Sequence, residues 1–284
     1  MPRLLSFLLL LLVAALPLHA QDRKTVQVGD MTVSYGDAGT GQPVILLHGG
    51  GLSSAMWRWL APVAAEKFRV LTPDTRGHGQ TDNPADRFSY DLAADDLASF
   101  IGALNLEQPM VVGYSDGGII ALTFLTRHPG VAKAAVVGGA SHKVAVDAHY
   151  ADGMLAFFGY NTPGALPDSV LDGWVATQPE TVERYRKLHG TADNPDRWRA
   201  LYQTVWPVWT TPLTMHADAL RAVTTPTLVI LAQNDEFFTP DQATELASLL
   251  PDAELQILPN LGHTAFREDP EQFNGVVMDF LLRQ

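Results

Sequence analysis

The chain has 284 residues, 46% of them apolar, with a formal net charge of −12 and no cysteine. It can bury one large core without a second full domain, and it cannot supply a thiol nucleophile, a Cys-ligated zinc or a disulfide framework. With a pI near 5.0 it shows no basic face to neutralise phosphates, which excludes nucleic acid and anionic membrane as partners.

At the amino terminus Arg3 precedes an apolar stretch from Leu4 to Leu16, then Pro17 and Leu18-His19-Ala20. This pattern predicts a secretory signal peptide over residues 1–20, cleaved after Ala20, and hence a secreted or periplasmic protein. The alternative is an uncleaved anchor, since Leu18 is larger than the residue preferred there. The stretch falls short of the roughly 20 apolar residues a membrane span needs, and no second one follows, so no span is expected in the mature protein.

Alternating segments at 24–28 and 31–35 flank Gly29-Asp30 and predict an opening hairpin. The fully apolar run Pro43 to Leu47 reads as a buried central strand. Further short apolar runs lie at 69–73, 110–113, 134–137, 227–232 and 254–258. Helical patterns alternate with them at 57–65, 92–104, 117–128, 242–250 and 270–282. Strand and helix in alternation predict an α/β fold with a mostly parallel sheet and ligands at the carboxyl ends of its strands.

The rhythm breaks between Ser141 and Val223, where six prolines interrupt a stretch with no clear strand. Residues 141–223 are expected to form a helical lid, and residues 21–140 and 224–284 the core. The lid carries Trp174, Trp198, Trp206 and Trp209, with Phe157, Phe158, Tyr160 and Tyr202. Its aromatics either line an apolar substrate pocket, with Trp174 and Trp206 as the expected contacts, or form the lid's own small core.

Four motifs carry chemistry. His48-Gly49-Gly50-Gly51 follows the central strand, where unhindered backbone N–H groups can face a developing negative charge. No Walker lysine or G-x-G-x-x-G spacing supports a phosphate loop instead. Gly113-Tyr114-Ser115-Asp116-Gly117 sits between a strand and a helix and reads as a nucleophile elbow around Ser115. The pentapeptide alone would occur by chance in roughly one chain in ten of this size, so its partners matter. Asp235 ends a strand and His263 follows the last one, giving the order Ser, Asp, His of a serine hydrolase triad. Gly50 and Asp116 are the expected oxyanion donors, with Gly51 as substitute.

His78, His128, His142, His149, His189 and His216 are expected in surface or structural roles, and Glu236 is a weaker acid candidate than Asp235. Asp74-Thr75-Arg76-Gly77-His78-Gly79 reads as a structural turn, with Asp74 and Arg76 paired or bonded to backbone, and Asp95-Asp96 as a solvated helix face. No H-E-x-x-H or H-x-x-E-H pattern supports a metal.

Taken together, His48-Gly49, Asp74-x-Arg76-Gly77-His78-Gly79, the elbow, Asp235 and Gly262-His263 resemble the α/β-hydrolase superfamily from about residue 25 to the end. The resemblance implies a mostly parallel eight-stranded sheet with helices on both faces, a helical lid, a small-molecule substrate and no cofactor. Ser115 separates the chain from the dehalogenases and epoxide hydrolases, which carry Asp at the elbow. Gly-Tyr-Ser-Asp-Gly-Gly is similar to the elbow of biphenyl hydrolase-like (valacyclovir hydrolase-like) esterases, where the acidic residue selects amino-bearing substrates. Asp116 is thereby a candidate substrate contact, although its carboxylate at a helix N-terminus also serves the helix dipole. The expected activity is cleavage of an ester or related acyl bond. The alternatives are carbon–carbon bond or lactone hydrolysis on the same triad, and a ligand receptor without turnover.

Overall fold

In a computed structural model, residues 23–284 are described, and the expected leader at 1–20 lies outside them. β1 (Lys24–Val28) and β2 (Met31–Ala38) form the antiparallel opening hairpin. Then come β3 (Pro43–Leu47), a 3₁₀ turn (Ser54–Arg58), α1 (Leu60–Ala65), β4 (Arg69–Pro73), α2 (Tyr90–Ala103), β5 (Met110–Tyr114), α3 (Asp116–Arg127) and β6 (Ala134–Gly138). β7 (Lys143–Val144), α4 (Ala148–Phe158), α5 (Asp168–Thr177), α6 (Pro179–His189), α7 (Arg197–Thr210), β8 (Leu213–Thr214) and α8 (Ala217–Arg221) follow. The chain closes with β9 (Thr227–Ala232), α9 (Pro240–Leu249), β10 (Ala253–Leu258), α10 (Ala265–Glu268) and α11 (Pro270–Arg283).

The main sheet has eight strands in the order β1-β2-β4-β3-β5-β6-β9-β10. β2 runs antiparallel to both its neighbours, β1 and β4, and every other pair in the sheet is parallel. β3 is buried on both faces: Val44 and Leu46 join one apolar cluster with Trp57, Leu60 and Phe273, while Ile45 and Leu47 join the other with Leu97, Ile119 and Phe124. Helices therefore cover both sides, which explains why this strand reads as a continuous apolar run.

Strand order reverses at β3, which pairs with β4 on one side and β5 on the other. The register Leu47↔Gly113 sets the glycine loop after β3 beside the elbow after β5, at the crevice where open α/β sheets bind ligands. Further along the same edge, Leu258 of β10 pairs with Ala232 of β9, so the loops carrying Asp235 and His263 leave the sheet side by side.

Helix starts differ from the periodic pattern by capping. Ser89 Oγ accepts from Leu92 N–H at 3.1 Å and starts α2 two residues early; Thr239 and Gln242 form a reciprocal capping box that starts α9 at Pro240. Between β7 and β8 lie the four helices α4–α7, and here the structure adds what periodicity missed. β7 and β8 pair antiparallel, tying the way into the helical insertion to the way out. No helix of the described residues is long and apolar enough to cross a membrane.

Candidate active site

Ser115 occupies the turn between β5 and α3 with φ +56° and ψ −123°, a conformation that costs a non-glycine residue about 1–3 kcal/mol. The surroundings enforce it. Ser115 N–H donates to Gly138 C=O on β6 at 2.8 Å, and a Cβ on Gly113 or Gly117 would run into the backbone of Gly117 or of Leu47 and His48. The strained turn holds the hydroxyl at the sheet edge, where His263 Nε2 lies 3.0 Å from Ser115 Oγ.

His263 Nδ1 lies 2.8 Å from Asp235 Oδ2, and both side chains are buried. The other carboxylate oxygen of Asp235 accepts from the Phe237 and Phe238 N–H groups at 2.9 and 3.0 Å, so the acid is fixed by its own loop. Since a carboxylate can only accept, Nδ1 carries the proton and Nε2 is free to take one from the serine. Burial, the largest influence on His263, lowers its pKa; the Asp235 charge and hydrogen bond, with the Glu236 and Asp116 charges, outweigh it and hold the pKa above the ordinary imidazole value. Glu236 meets His263 differently, its carboxylate accepting the His263 backbone N–H at 2.7 Å. It positions the loop and leaves the imidazole to Asp235.

The amides of the glycine loop are unequal. Gly49 N–H points at Met56 Sδ (3.4 Å), Gly51 N–H at His78 Nε2 (3.2 Å) and Leu52 N–H at Gly49 C=O (3.2 Å). Among the described residues Gly50 N–H has no such partner, so Gly51, the expected substitute, is already engaged. Asp116 N–H opens α3 and has no carbonyl one turn behind it.

These groups line a cavity of about 570 Å³. Tyr150, Met154, Phe158, Tyr202 and Trp209 of the insertion face it, with Phe237 and Phe238 from the β9 loop. Exposed Arg58, Arg184 and Arg267 stand at its mouth.

Several expectations need correction. Trp174 and Trp206, the expected substrate contacts, do not line the cavity. Both are buried away from the cavity, with indole N–H groups donating to Phe158 C=O and Thr162 C=O at 3.0 Å, because they form the insertion's own core with Trp198. Of the insertion's tryptophans, the one that faces the cavity is Trp209, three residues beyond Trp206 on α7.

The Asp116 carboxylate borders the cavity with both oxygens already engaged: Oδ1 accepts from the Tyr90 hydroxyl at 2.9 Å and Oδ2 from Trp209 Nε1 at 2.7 Å. It ties the elbow to α2 and to the insertion. Burial raises its pKa to about 6, against the lowering effects of the Trp209 and Tyr90 hydrogen bonds and the His263 charge.

Outside the cavity, Arg76 is buried and paired with Asp96 at 2.7 Å and Asp30 at 3.1 Å rather than with Asp74, so Asp96 is not on a solvated face. Asp74 instead accepts from Arg23 at 2.6 Å and from the Ser54 and Gln80 N–H groups.

A strained serine at the switch point of such a sheet, hydrogen-bonded to an acid-supported histidine and roofed by a helical insertion, defines a class. The sequence model of the α/β hydrolase fold matches residues 42–270; the chain belongs to that family and is a hydrolase. It is 29% identical over 253 residues to the 2-hydroxymuconate semialdehyde hydrolase of Pseudomonas sp. (strain CF600), covering 86% of this chain and 88% of that one. It is likewise 29% identical to the 2-hydroxy-6-oxo-6-(2'-aminophenyl)hexa-2,4-dienoic acid hydrolase of Metapseudomonas resinovorans, covering 91% and 90%. A solved meta-cleavage product hydrolase from Pseudomonas fluorescens superposes with a TM-score of 0.74 at 25% identity, covering 92% of this chain and 97% of that one.

Proposed function

We propose that the protein is a serine hydrolase cleaving an ester or related acyl bond of a small molecule, with Ser115 as nucleophile, His263 as general base and Asp235 orienting it. The observation that carries this reading is the Asp235–His263–Ser115 hydrogen-bond chain, at 2.8 and 3.0 Å, ending on a strained serine inside the cavity. Ser115 Oγ bonds to the substrate carbonyl carbon while its proton passes to His263 Nε2. Negative charge gathers on the carbonyl oxygen, which the Gly50 and Asp116 N–H groups receive. Collapse breaks the bond to the leaving group, which takes the proton from His263 and departs as an alcohol. Water, deprotonated by the same imidazole, then releases the acid from the acyl-enzyme. No cofactor is required by these steps.

A second reading has its own support. The relatives at 29% identity are named as hydrolases of a semialdehyde and of an oxo-dienoic acid, and the structural relative is named for meta-cleavage products. A carbon leaving group would then accept the proton that an alkoxide takes in ester cleavage. Aromatic walls, arginines at the mouth and an already engaged Asp116 favour a neutral or anionic substrate over a cation.

Comparison of kcat/KM across p-nitrophenyl esters, lactones and vinylogous diketones separates the two readings. Esters should lead if the first holds, and diketones turned over at least tenfold better would replace it. Ser115→Ala should abolish turnover of whichever class leads. Preserved turnover would remove Ser115 from the chemistry. Secretion over the 1–20 leader is part of the same proposal, checked by the N-terminal residue of protein recovered from the native host, expected to be Gln21.

A further inference from the structure

Three histidines outside the Ser115 chain, His48, His78 and His189, are buried around the glycine loop. The His78 ring lies 5.0 Å from that of His48 and 6.0 Å from that of His189, centroid to centroid. Backbone N–H groups fix their tautomers, because a ring nitrogen that accepts carries no proton. Thr75 N–H reaches His48 Nε2 at 3.0 Å, so Nδ1–H donates to Gly49 C=O at 2.8 Å. Gly51 N–H reaches His78 Nε2 at 3.2 Å, leaving Nδ1–H for Arg76 C=O at 3.0 Å. Gly79 N–H reaches His189 Nδ1 at 2.9 Å, so Nε2–H donates to Gly51 C=O at 3.0 Å. Each ring is neutral and spans two backbone groups. Burial is the main cause that keeps them so, holding His189 at about 4 despite its Gly51 bond and the Asp74 charge.

Together they clamp Gly51 at both ends and Gly49 at its carbonyl. A trans peptide points its N–H opposite to its C=O, so fixing Gly49 C=O toward His48 aims Gly50 N–H to the other side. Gly51 itself is held at φ +65°, with the Tyr202 hydroxyl in the space where a Cβ would stand. Two of the three clamps come from the sheet side of the molecule. His189 does not: it ends α6, and Arg197 of α7 holds its carbonyl at 2.7 Å while also donating to Thr81 C=O at 2.8 Å.

Building on the reading of Gly50 as an oxyanion donor, we infer that His189 is a positioning residue through which the helical insertion holds the Gly49–Gly51 loop in its productive shape. The insertion then completes the oxyanion site as well as roofing the cavity.

The test compares full-length wild type, His189→Phe, which fills the space without hydrogen bonds, and His189→Gln, whose amide offers one acceptor and one donor. With the best ester of the panel, His189→Phe should lose about tenfold or more in kcat, a fraction of what removal of a whole oxyanion donor costs, with KM within threefold. Affinity for a boronic acid that mimics the tetrahedral intermediate should fall in step with kcat, and His189→Gln should recover most of both. Wild-type kcat in His189→Phe, a loss confined to KM, or equal losses in Phe and Gln variants would overturn the role. If the Phe variant does not fold, the Gln variant still decides, since a kcat reduced tenfold in folded protein with an intact boronate affinity contradicts it. Ser115→Ala in the same assay separates the two levels. Turnover surviving there removes the underlying reading, whereas turnover lost there but unchanged in His189→Phe overturns His189 alone.

Discussion

Two of the places where the molecule buries histidines make opposite use of the ring. Beside β10, His263 faces a carboxylate at 2.8 Å, and its pKa stands above the ordinary imidazole value even though burial pulls it down. Around the glycine loop, His48, His78 and His189 meet only backbone and hydroxyl groups, and burial lowers all three. A buried ring bonded only to backbone and hydroxyl groups stays neutral and spans them, whereas the ring beside Asp235 keeps its charged form accessible and leaves Nε2 facing Ser115.

The strongest way to break that contrast is to make His263 resemble the others. Asp235→Asn keeps the shape but removes the charge and favours the wrong tautomer, so kcat should fall by about 10⁴-fold, read against an unchanged fold by circular dichroism. Next comes the pH profile. The base must be neutral, so a raised pKa moves the acidic limb of wild-type kcat/KM above pH 6.5, the ordinary imidazole value. A limb near 4, where His189 titrates, would assign activity control to the glycine-loop histidines instead.

Smaller effects sharpen the link between the two regions. Trp209→Phe removes the 2.7 Å donor to Asp116 and should cost about tenfold or less in kcat/KM. Trp206→Phe, one step away but outside the cavity, should leave kcat/KM within twofold while lowering the melting temperature. Asp116→Asn tests the tie through stability. The folded pKa of Asp116, about 6, exceeds the ordinary carboxyl value of 3.8, so folding favours the protonated acid. Its stabilising contribution is complete below the unfolded value and is lost as pH rises through about 6. The Asn variant should therefore gain melting temperature relative to wild type between pH 4 and pH 8, and a constant difference would contradict the raised pKa.

What could be read from the residues divides along the same line. Ser115, Asp235 and His263 were legible because each follows a strand end, where local apolar runs mark position and the parallel sheet brings the ends together. The glycine-loop histidines were not. His189 meets Gly51 across 138 residues, and no local pattern distinguishes a histidine that bonds two distant backbone groups from one on a surface helix. Within the insertion, composition announced an aromatic cluster, but only the packing of α7 decides that Trp198 and Trp206 turn inward while Trp209 faces the cavity. Asp96 shows the same limit from the other side. Its place on an amphipathic helix gave no sign of the buried Arg76 that it neutralises.

The central claim is that His263, and no other buried histidine, activates Ser115. The most direct measurement is the rate of fluorophosphonate labelling as a function of pH, with the modified residue located by mass spectrometry in wild type and His263→Ala. A single adduct on Ser115, forming faster as pH rises through a pKa above 6.5 and nearly lost in His263→Ala, is the expected result. Labelling at another residue, or labelling of Ser115 that His263→Ala leaves intact, would contradict it.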